Sequence, residues 1–186
     1  MIWQIQTIFI TLAYQNVICM DIRFIDLFAG IGGIRKGLEL ECQEVGYNPV
    51  CVFTSEIKPY AISVLKQNHP NENIAGDITQ VDAKTIPDFD VLCAGFPCQA
   101  FSAAGNRLGF ADTRGTLFFD VERILIEKRP KGFILENVEG LVNHDGGKTL
   151  KTILKHLNGI GYSIRCLMQS SIPSILVSHK NAKGYT

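Results

Sequence analysis

The sequence predicts an α/β fold built on a mostly parallel sheet. Short apolar runs alternate along the chain with segments that have the helical spacing of apolar residues, a pattern typical of parallel strands joined by helices. The chain has 186 residues, of which 46% are hydrophobic and 19% charged, so it can bury one sizeable core. Glycine or acidic residues follow several of the apolar runs. Since such sheets bind ligands at the carboxyl ends of their strands, we expect the functional site at that edge.

The first strand is predicted at residues 24–28, directly before a glycine-rich turn. This turn contains Gly30, Ile31 and Gly32 and leads into a helix that begins near Ile34. Glycines let a ligand approach the backbone closely. Their spacing is not that of dinucleotide-binding proteins, so the turn alone is weak evidence for a nucleotide.

Acidic residues end the next two predicted strands. A strand at 50–56 ends in Glu56, a helix follows at 59–68, and a short strand near 73–75 leads to Asp77. A carboxylate at the end of the second strand is where such folds bind ribose hydroxyls, although an acid that simply starts the next helix is an equal alternative. With Phe28 at the first strand end, these residues outline one adenosine-sized slot.

A cysteine directly after a proline follows the fourth predicted strand, which covers 91–94 and stops at Gly95. Cys98 lies a few residues past a buried strand end, where such folds place chemistry, and is the candidate nucleophile. Cys93 lies inside the strand and is interpreted as inert. The long polar loop that follows is typical of a functional lid.

The remaining elements are a helix, a strand, a second helix and a last strand. Residues 117–128 form the first of these, and a strand at 132–135 brings Glu136 and Asn137 to the same edge as Cys98. His144 lies in a turn and is interpreted as polar surface. The helical spacing of four apolar residues predicts the second helix, and the last strand is predicted at 162–168. The four residues are Leu150, Ile153, Leu154 and Leu157.

Charge and cysteine usage exclude several classes of protein. The net charge is zero, so no global basic field indicates a polyanionic partner. The six cysteines include no C-x-x-C pair, which argues against a structural zinc and a disulfide framework. Residues 1–20 are uncharged but interrupted by amides, which fits neither a membrane span nor a signal peptide. We expect a cytoplasmic protein with no metal and no membrane segment.

Three motifs resemble those of the DNA cytosine-5 methyltransferases, in that family's order. They are GFPCQAFS at 95–102, which resembles the nucleophile motif, ENV at 136–138 and FIDLFAG at 24–30. The resemblance extends over about residues 23–168. It implies a Rossmann-like methyltransferase domain at 21–169, of the bacterial restriction-modification type.

The resemblance also implies S-adenosylmethionine as the cofactor. Phe28 would contact the adenine, Glu56 the ribose hydroxyls and Asp77 the adenine amino group. The full set of implied cofactor-binding residues is Phe28, Gly30, Ile31, Gly32, Glu56, Ile57, Asp77, Ile78, Gly95, Pro97 and Leu117.

The implied chemistry is covalent catalysis on a cytosine flipped out of the duplex. The Cys98 thiolate would add to C6, after which C5 attacks the methyl group of the donor. Glu136 would assist at N3 of the cytosine, and Asn137 would hold the loop. DNA is the implied partner, contacted by a loop that includes Gln99, Ser102, Arg107 and Arg114.

Both ends of the chain lie outside the resemblance. Residues 1–20 are expected to be an extension, with an extra strand or helix as the alternative, and residues 170–186, with Lys180 and Lys183, are expected to be an unstructured tail. We expect the last strand of the sheet and the target recognition domain to be missing, so that activity requires a second polypeptide with the remaining motifs. Two alternatives stay open: a tRNA cytosine-5 methyltransferase, and an inactive remnant or single subunit of a split enzyme.

Overall fold

The computed structural model describes residues 20–97, 117–169 and 172–180. Within these ranges seven strands form one sheet with the order β3-β2-β1-β4-β5-β7-β6. The strands are β1 (Asp21–Leu27), β2 (Asn48–Ser55), β3 (Ile74–Ala75), β4 (Val91–Gly95), β5 (Gly132–Asn137), β6 (Tyr162–Gln169) and β7 (Ile172–Lys180). The α-helices are α1 (Gly33–Glu44), α2 (Pro59–Asn68), α3 (Leu117–Lys128) and α4 (Lys148–Gly159).

Strands β1 to β5 confirm the predicted parallel sheet. β1 lies between β2 and β4, β2 also pairs with β3, and β4 also pairs with β5, all in parallel register. Since every connection returns the chain to the same end, the carboxyl ends of all five strands meet at one edge. None of the helices in the described ranges is long and apolar enough to cross a membrane.

The C-terminal segment corrects the prediction of an unstructured tail. Ile172–Lys180 forms β7, which runs antiparallel to both β5 and β6 and lies between them. The expectation that the last strand would be missing is therefore wrong. The lysines and small polar residues suggested a tail, but the apolar residues Ile172, Ile175 and Val177 suit a strand that pairs on both sides.

The main core lies on one face of the sheet, under α3 and α4. Alternate residues of the central strands point to it because side chains in a strand alternate between faces. The fully buried contributors are Ile25, Leu27, Leu92, Ala94, Phe133 and Leu135 from the strands, and Val121, Ile124, Leu125, Ile153 and Leu157 from the helices. This core fixes the register of the strands and hence the position of their ends.

The opposite face carries a buried polar cluster. Arg35 of α1 is 4% exposed, donates two hydrogen bonds of 2.6 Å to the Glu72 carboxylate, and bonds Glu39 at 2.7 Å. Asp26 of β1 is 1% exposed, and neither of its carboxylate oxygens has a hydrogen-bond partner among the described residues. Burial raises the pKa of Asp26 to about 7, while the positive charge of Arg35 opposes this shift.

Candidate active site at the strand ends

The turn after β1 is held in a left-handed backbone conformation. Phe28, Gly30 and Gly32 have φ angles of 54°, 56° and 90°. A side chain at Gly32 would be strained at that angle and would also meet Leu65 Cδ2 at 3.4 Å. Phe28 adopts this conformation without being glycine, which costs energy and is typical of functional turns. The turn leaves open space around Gly30, where no atom lies within 4 Å of an added Cβ.

Glu56 connects two of the strand ends. Its Oε2 accepts the Gly30 N–H at 2.7 Å, and its Oε1 accepts the N–H groups of Ile57 and Lys58 at 2.8 Å. Glu56 therefore ties the turn after β1 to the residues that precede α2, and it does not cap that helix, whose N-cap residue is Lys58. A carboxylate has about four acceptor positions, so Oε2 keeps one for a further donor such as a hydroxyl.

Two large apolar side chains stand exposed beside this buried carboxylate. Ile31 is 61% exposed and Ile57 is 64% exposed, whereas Glu56 is 6% exposed. The Ile57 N–H donates to Glu56, and Ile31 follows Gly30, whose N–H also donates to Glu56. Apolar surface next to a buried acceptor suits a ligand with a flat ring and hydroxyl groups.

Asp77 lies at the third strand end, after β3. It is exposed, and its Oδ1 accepts the Thr79 N–H at 2.9 Å, which caps a short 3-10 turn at Ile78–Gln80. Within the described part of the chain no group donates to Oδ2. Ile78 is 2% exposed and anchors the turn in the core. Asp77 therefore has one oxygen committed to the local fold and one available.

Gly95, at the end of β4, lies against the acid at the end of β5. The two residues are partners in the parallel register. A Cβ at Gly95 would lie 3.3 Å from both Glu136 Oε2 and Ile34 Cδ1. Burial raises the pKa of the Glu136 carboxyl, and no group in the described ranges hydrogen bonds to it. Glu136 is thus a half-buried acid whose two carboxyl oxygens are available to a ligand.

Asn137 fixes the backbone next to the Pro-Cys motif. Its Nδ2 donates to the Phe96 carbonyl at 2.7 Å, and its Oδ1 accepts the Val138 N–H at 2.9 Å. Asn137 is 3% exposed and Phe96 is 5% exposed, so these bonds are shielded from water. The bonded carbonyl belongs to the residue two positions before Cys98.

Several of the predicted site residues lie outside the described residues. They are Cys98, Gln99, Ser102, Arg107 and Arg114. Pro97 is exposed at the last described position before them, and Leu117 is the first residue of α3 after them. Cys93, the other cysteine near this edge, is fully buried, and burial together with Asp26 raises its pKa well above the ordinary value. Such a thiol is protonated and unreactive.

Sequence reasoning missed Arg123 of α3. Its guanidinium donates to the carbonyls of Ile78 and Val81 and to the carboxylate of Asp120. An arginine on an amphipathic helix is solvent-exposed by default, and its partners are distant in sequence, so the sequence carried no local signal for this contact.

The family is decided by the extent of the match. The family model for C-5 cytosine-specific DNA methylases matches residues 22–172. The chain belongs to this family. The predicted resemblance is confirmed, and the strand-end residues described above all fall within the matched region.

Members of this C-5 cytosine-specific DNA methylase family among curated proteins are longer than this chain. The type II methyltransferase M.NlaIV of Neisseria lactamica is 62% identical over 151 residues, which cover 77% of this chain and 36% of that protein. M.HhaI of Haemophilus parahaemolyticus is 48% identical over 151 residues, which cover 81% of this chain and 44% of that protein. The chain thus spans less than half the length of these relatives.

Solved structures share the fold. The Dnmt2 methyltransferase of S. pombe superimposes with a TM-score of 0.64 at 24% identity, over 89% of this chain and 53% of its own. The methyltransferase EhMeth of Entamoeba histolytica has a TM-score of 0.64 at 19% identity, over 86% of this chain and 53% of its own. At this identity the likeness concerns the fold, and it confirms the Rossmann-like methyltransferase architecture.

Proposed function

We propose that this protein transfers a methyl group from S-adenosylmethionine to C5 of cytosine in DNA, with Cys98 as the nucleophile. One observation carries the proposal. The acid Glu136 lies against Gly95, and Asn137 bonds Phe96, so the two residues directly before the Pro-Cys motif are attached to the strand end that supplies the acid. The half-buried acid and the start of the nucleophile segment are adjacent in a chain of the cytosine-specific family.

The residues at the strand ends fit an adenosine-containing donor. The fit rests on the free acceptor position of Glu56 for a ribose hydroxyl, the free oxygen of Asp77 for an amino group, and the exposed apolar surface of Ile31 and Ile57 for a ring. We call Phe28, Glu56 and Asp77 the adenosine slot. When bound, the donor supplies an electrophilic methyl group on a sulfonium.

The chain's own groups make cytosine reactive. C5 is a poor nucleophile, and addition of the Cys98 thiolate to C6 turns the ring into an enamine whose C5 can attack the methyl group. A protonated Glu136 donates to N3 as charge develops there, which is the state its burial-raised pKa favours. Loss of the C5 proton to a base then expels the thiolate and restores the ring. The base must be flipped out of the duplex because C6 is inaccessible within it.

The proposed partner is DNA, engaged together with the part of the family not covered by this chain. Because the relatives extend well beyond the matched region, we propose that target recognition comes from that region, in the same chain or in a second polypeptide. The trapping assay therefore has two arms, one with residues 1–186 alone and one with a co-expressed fragment covering the remainder of a relative.

Covalent trapping tests the proposal. DNA containing 5-fluorocytosine should form a denaturation-resistant complex with the protein when the methyl donor is present, because fluorine at C5 blocks the final elimination. Cys98→Ser should abolish the complex. Cys93→Ser is the matched control, since this thiol is five residues away in the sequence and fully buried, and trapping should persist.

Three results would count against the assignment. Trapping that survives Cys98→Ser would remove that residue as the nucleophile. Trapping on 5-fluorocytosine in tRNA but not in DNA would transfer the chemistry to the RNA alternative. No trapping in either arm, with a folded protein, would favour the inactive remnant.

A further inference from the structure

Arg123 joins α3 to the turn that carries one end of the adenosine slot. Its Nη1 donates to the Val81 carbonyl at 2.9 Å and its Nη2 to the Ile78 carbonyl, so both arms of the guanidinium grip the same turn. Its Nε donates to Asp120 Oδ1 at 2.9 Å, which fixes the plane of the guanidinium relative to the helix. A planar fork with three engaged donors is far more restrictive than a single bond.

The turn that Arg123 contacts is also held by its own hydrogen bonds and by the strand before it. Asp77 caps it from within through the Thr79 N–H, and the Val81 N–H closes it on the Ile78 carbonyl at 3.2 Å. The Ile78 side chain is buried and Val81 packs against the core, while Asp77, Thr79 and Gln80 are exposed. The strand that leads into it, β3, has just two residues. Before the turn, the Ser55 hydroxyl donates to the Gly76 carbonyl at 2.8 Å and the Glu56 N–H donates to the Ala75 carbonyl at 3.0 Å. The chain is therefore held on both sides of Asp77, and the Arg123 fork is the contact that holds it on the side after the turn.

We propose that Arg123 is a positioning residue that holds the Asp77 carboxylate where it can accept a hydrogen bond from the 6-amino group of adenine. This inference rests on the proposed function, and it adds a residue that acts on purine specificity through Asp77. Arg123 itself contacts no ligand in this scheme. It acts by fixing the carbonyls of Ile78 and Val81 and so the direction in which the free oxygen of Asp77 points.

The same helix offers a matched control. Lys128 donates at 3.3 Å to the Lys84 carbonyl and to Asp88 Oδ1, one 3-10 turn further along the chain. Lys128→Met also removes a cation that ties α3 to a carbonyl of this connection, but it leaves the Asp77 turn untouched. If α3 merely packs less tightly against the segment after the Asp77 turn, ligand preference should change alike in the Arg123 and Lys128 variants. If Arg123 positions Asp77, the preference should change in the Arg123 variants alone.

The experiment compares two ligands by calorimetry: S-adenosylhomocysteine, and its analogue with purine in place of adenine, which lacks the amino group. The wild-type protein should prefer the adenine compound by about ten-fold, the usual worth of one hydrogen bond to a charged group. Arg123→Met should bind the adenine compound several-fold more weakly and the purine compound almost unchanged, so that the preference falls towards one. Arg123→Lys keeps the charge but not the fork and should give an intermediate preference. Lys128→Met should keep the full preference.

The preference is a ratio measured within one variant, which protects the test from partial unfolding. A smaller folded fraction weakens both apparent affinities by the same factor and leaves their ratio unchanged. Equal weakening of both ligands in Arg123→Met, or an unchanged preference, would overturn the positioning role. A wild type that binds both compounds equally would overturn the Asp77 contact and the inference with it. Failure of the folded wild type to bind either compound would instead refute the proposed function.

Discussion

Replacing Asp26 by asparagine should remove a pH dependence of folding that this one carboxyl creates. In the folded protein Asp26 is buried without a hydrogen-bond partner among the described residues, and its pKa is about 7 against an ordinary value of 3.8. Asparagine has nearly the shape of the protonated carboxyl but cannot ionise. The variant therefore isolates the cost of this one ionisation.

The sign follows from where the proton is held. Between about pH 4 and pH 7 the unfolded chain loses the Asp26 proton while the folded protein keeps it, so rising pH favours unfolding. Each unit of pKa difference is worth about 1.36 kcal/mol, so the wild type loses about 4 kcal/mol across this window. About 2 kcal/mol of that loss falls between pH 5 and pH 7. The stabilisation is complete below the unfolded pKa and is gone above the folded one.

Urea unfolding followed by circular dichroism at pH 5 and pH 7 measures the effect. The free energy of unfolding of Asp26→Asn minus that of the wild type should be more positive at pH 7 by about 2 kcal/mol. Asp90→Asn is the control, because the pKa of Asp90 is lowered by Lys131 and by the Arg23 N–H, although burial acts against them. Its contribution should change only at acidic pH. If the Asp26 difference is the same at both pH values, the folded protein does not hold a proton there.

Three further variants probe the strand ends. Glu56→Ala should weaken S-adenosylhomocysteine binding in calorimetry and also lower the free energy of unfolding by about 1–3 kcal/mol, since three backbone N–H groups lose their acceptor. Equal ligand affinity in the wild type and Glu56→Ala would refute the slot. Glu136→Gln should leave S-adenosylhomocysteine binding intact but slow methyl transfer. The wild-type rate should decline as pH rises through the raised pKa of Glu136, and the variant should lack this decline. An unchanged rate and pH profile would remove Glu136 from the chemistry. Gly95→Ala should lower the free energy of unfolding in urea by about 1 kcal/mol and reduce turnover, because its Cβ crowds Glu136 and Ile34. Gly37→Ala, in open space on α1, should raise the free energy of unfolding. Unchanged stability and turnover in Gly95→Ala would show that the neighbouring side chains relax freely.

The elements that sequence reasoning predicted well are those set by local patterns. Helices 59–68 and 117–128 were predicted with the bounds they have in the structure, because a proline or a clear apolar period marks their ends. The order of the strands depends on long-range pairing and was not predicted. β7 was missed because an antiparallel insertion between two earlier strands leaves no mark on the alternation of strands and helices.

The positions of the candidate residues at the strand ends were predictable from the sequence, but their hydrogen bonds were not. The sequence left Glu56 between ribose binding and the start of a helix, and it did not predict the bonds from Gly30 and Lys58, which form because the turn after β1 folds back onto the end of β2. Asp26 stands in an apolar strand, and nothing local indicates that Arg35 is committed to Glu39 and Glu72 instead of pairing with it. Such competition for one cation is decided by packing alone.

The placement of β7 between β5 and β6 also determines how this part of the sheet opens. β6 has no strand neighbour other than β7 in the described sheet, and only two residues separate the two strands in sequence. The pair is therefore a hairpin that forms locally and pairs with the parallel strands only through β5–β7. Tyr162 at the start of β6 also packs in the core and donates to the Pro130 carbonyl at 2.8 Å. Loss of the β5–β7 pairing together with this anchor releases both strands, so the amide protons of β6 and β7 should exchange with solvent as one cooperative unit, distinct from the five parallel strands.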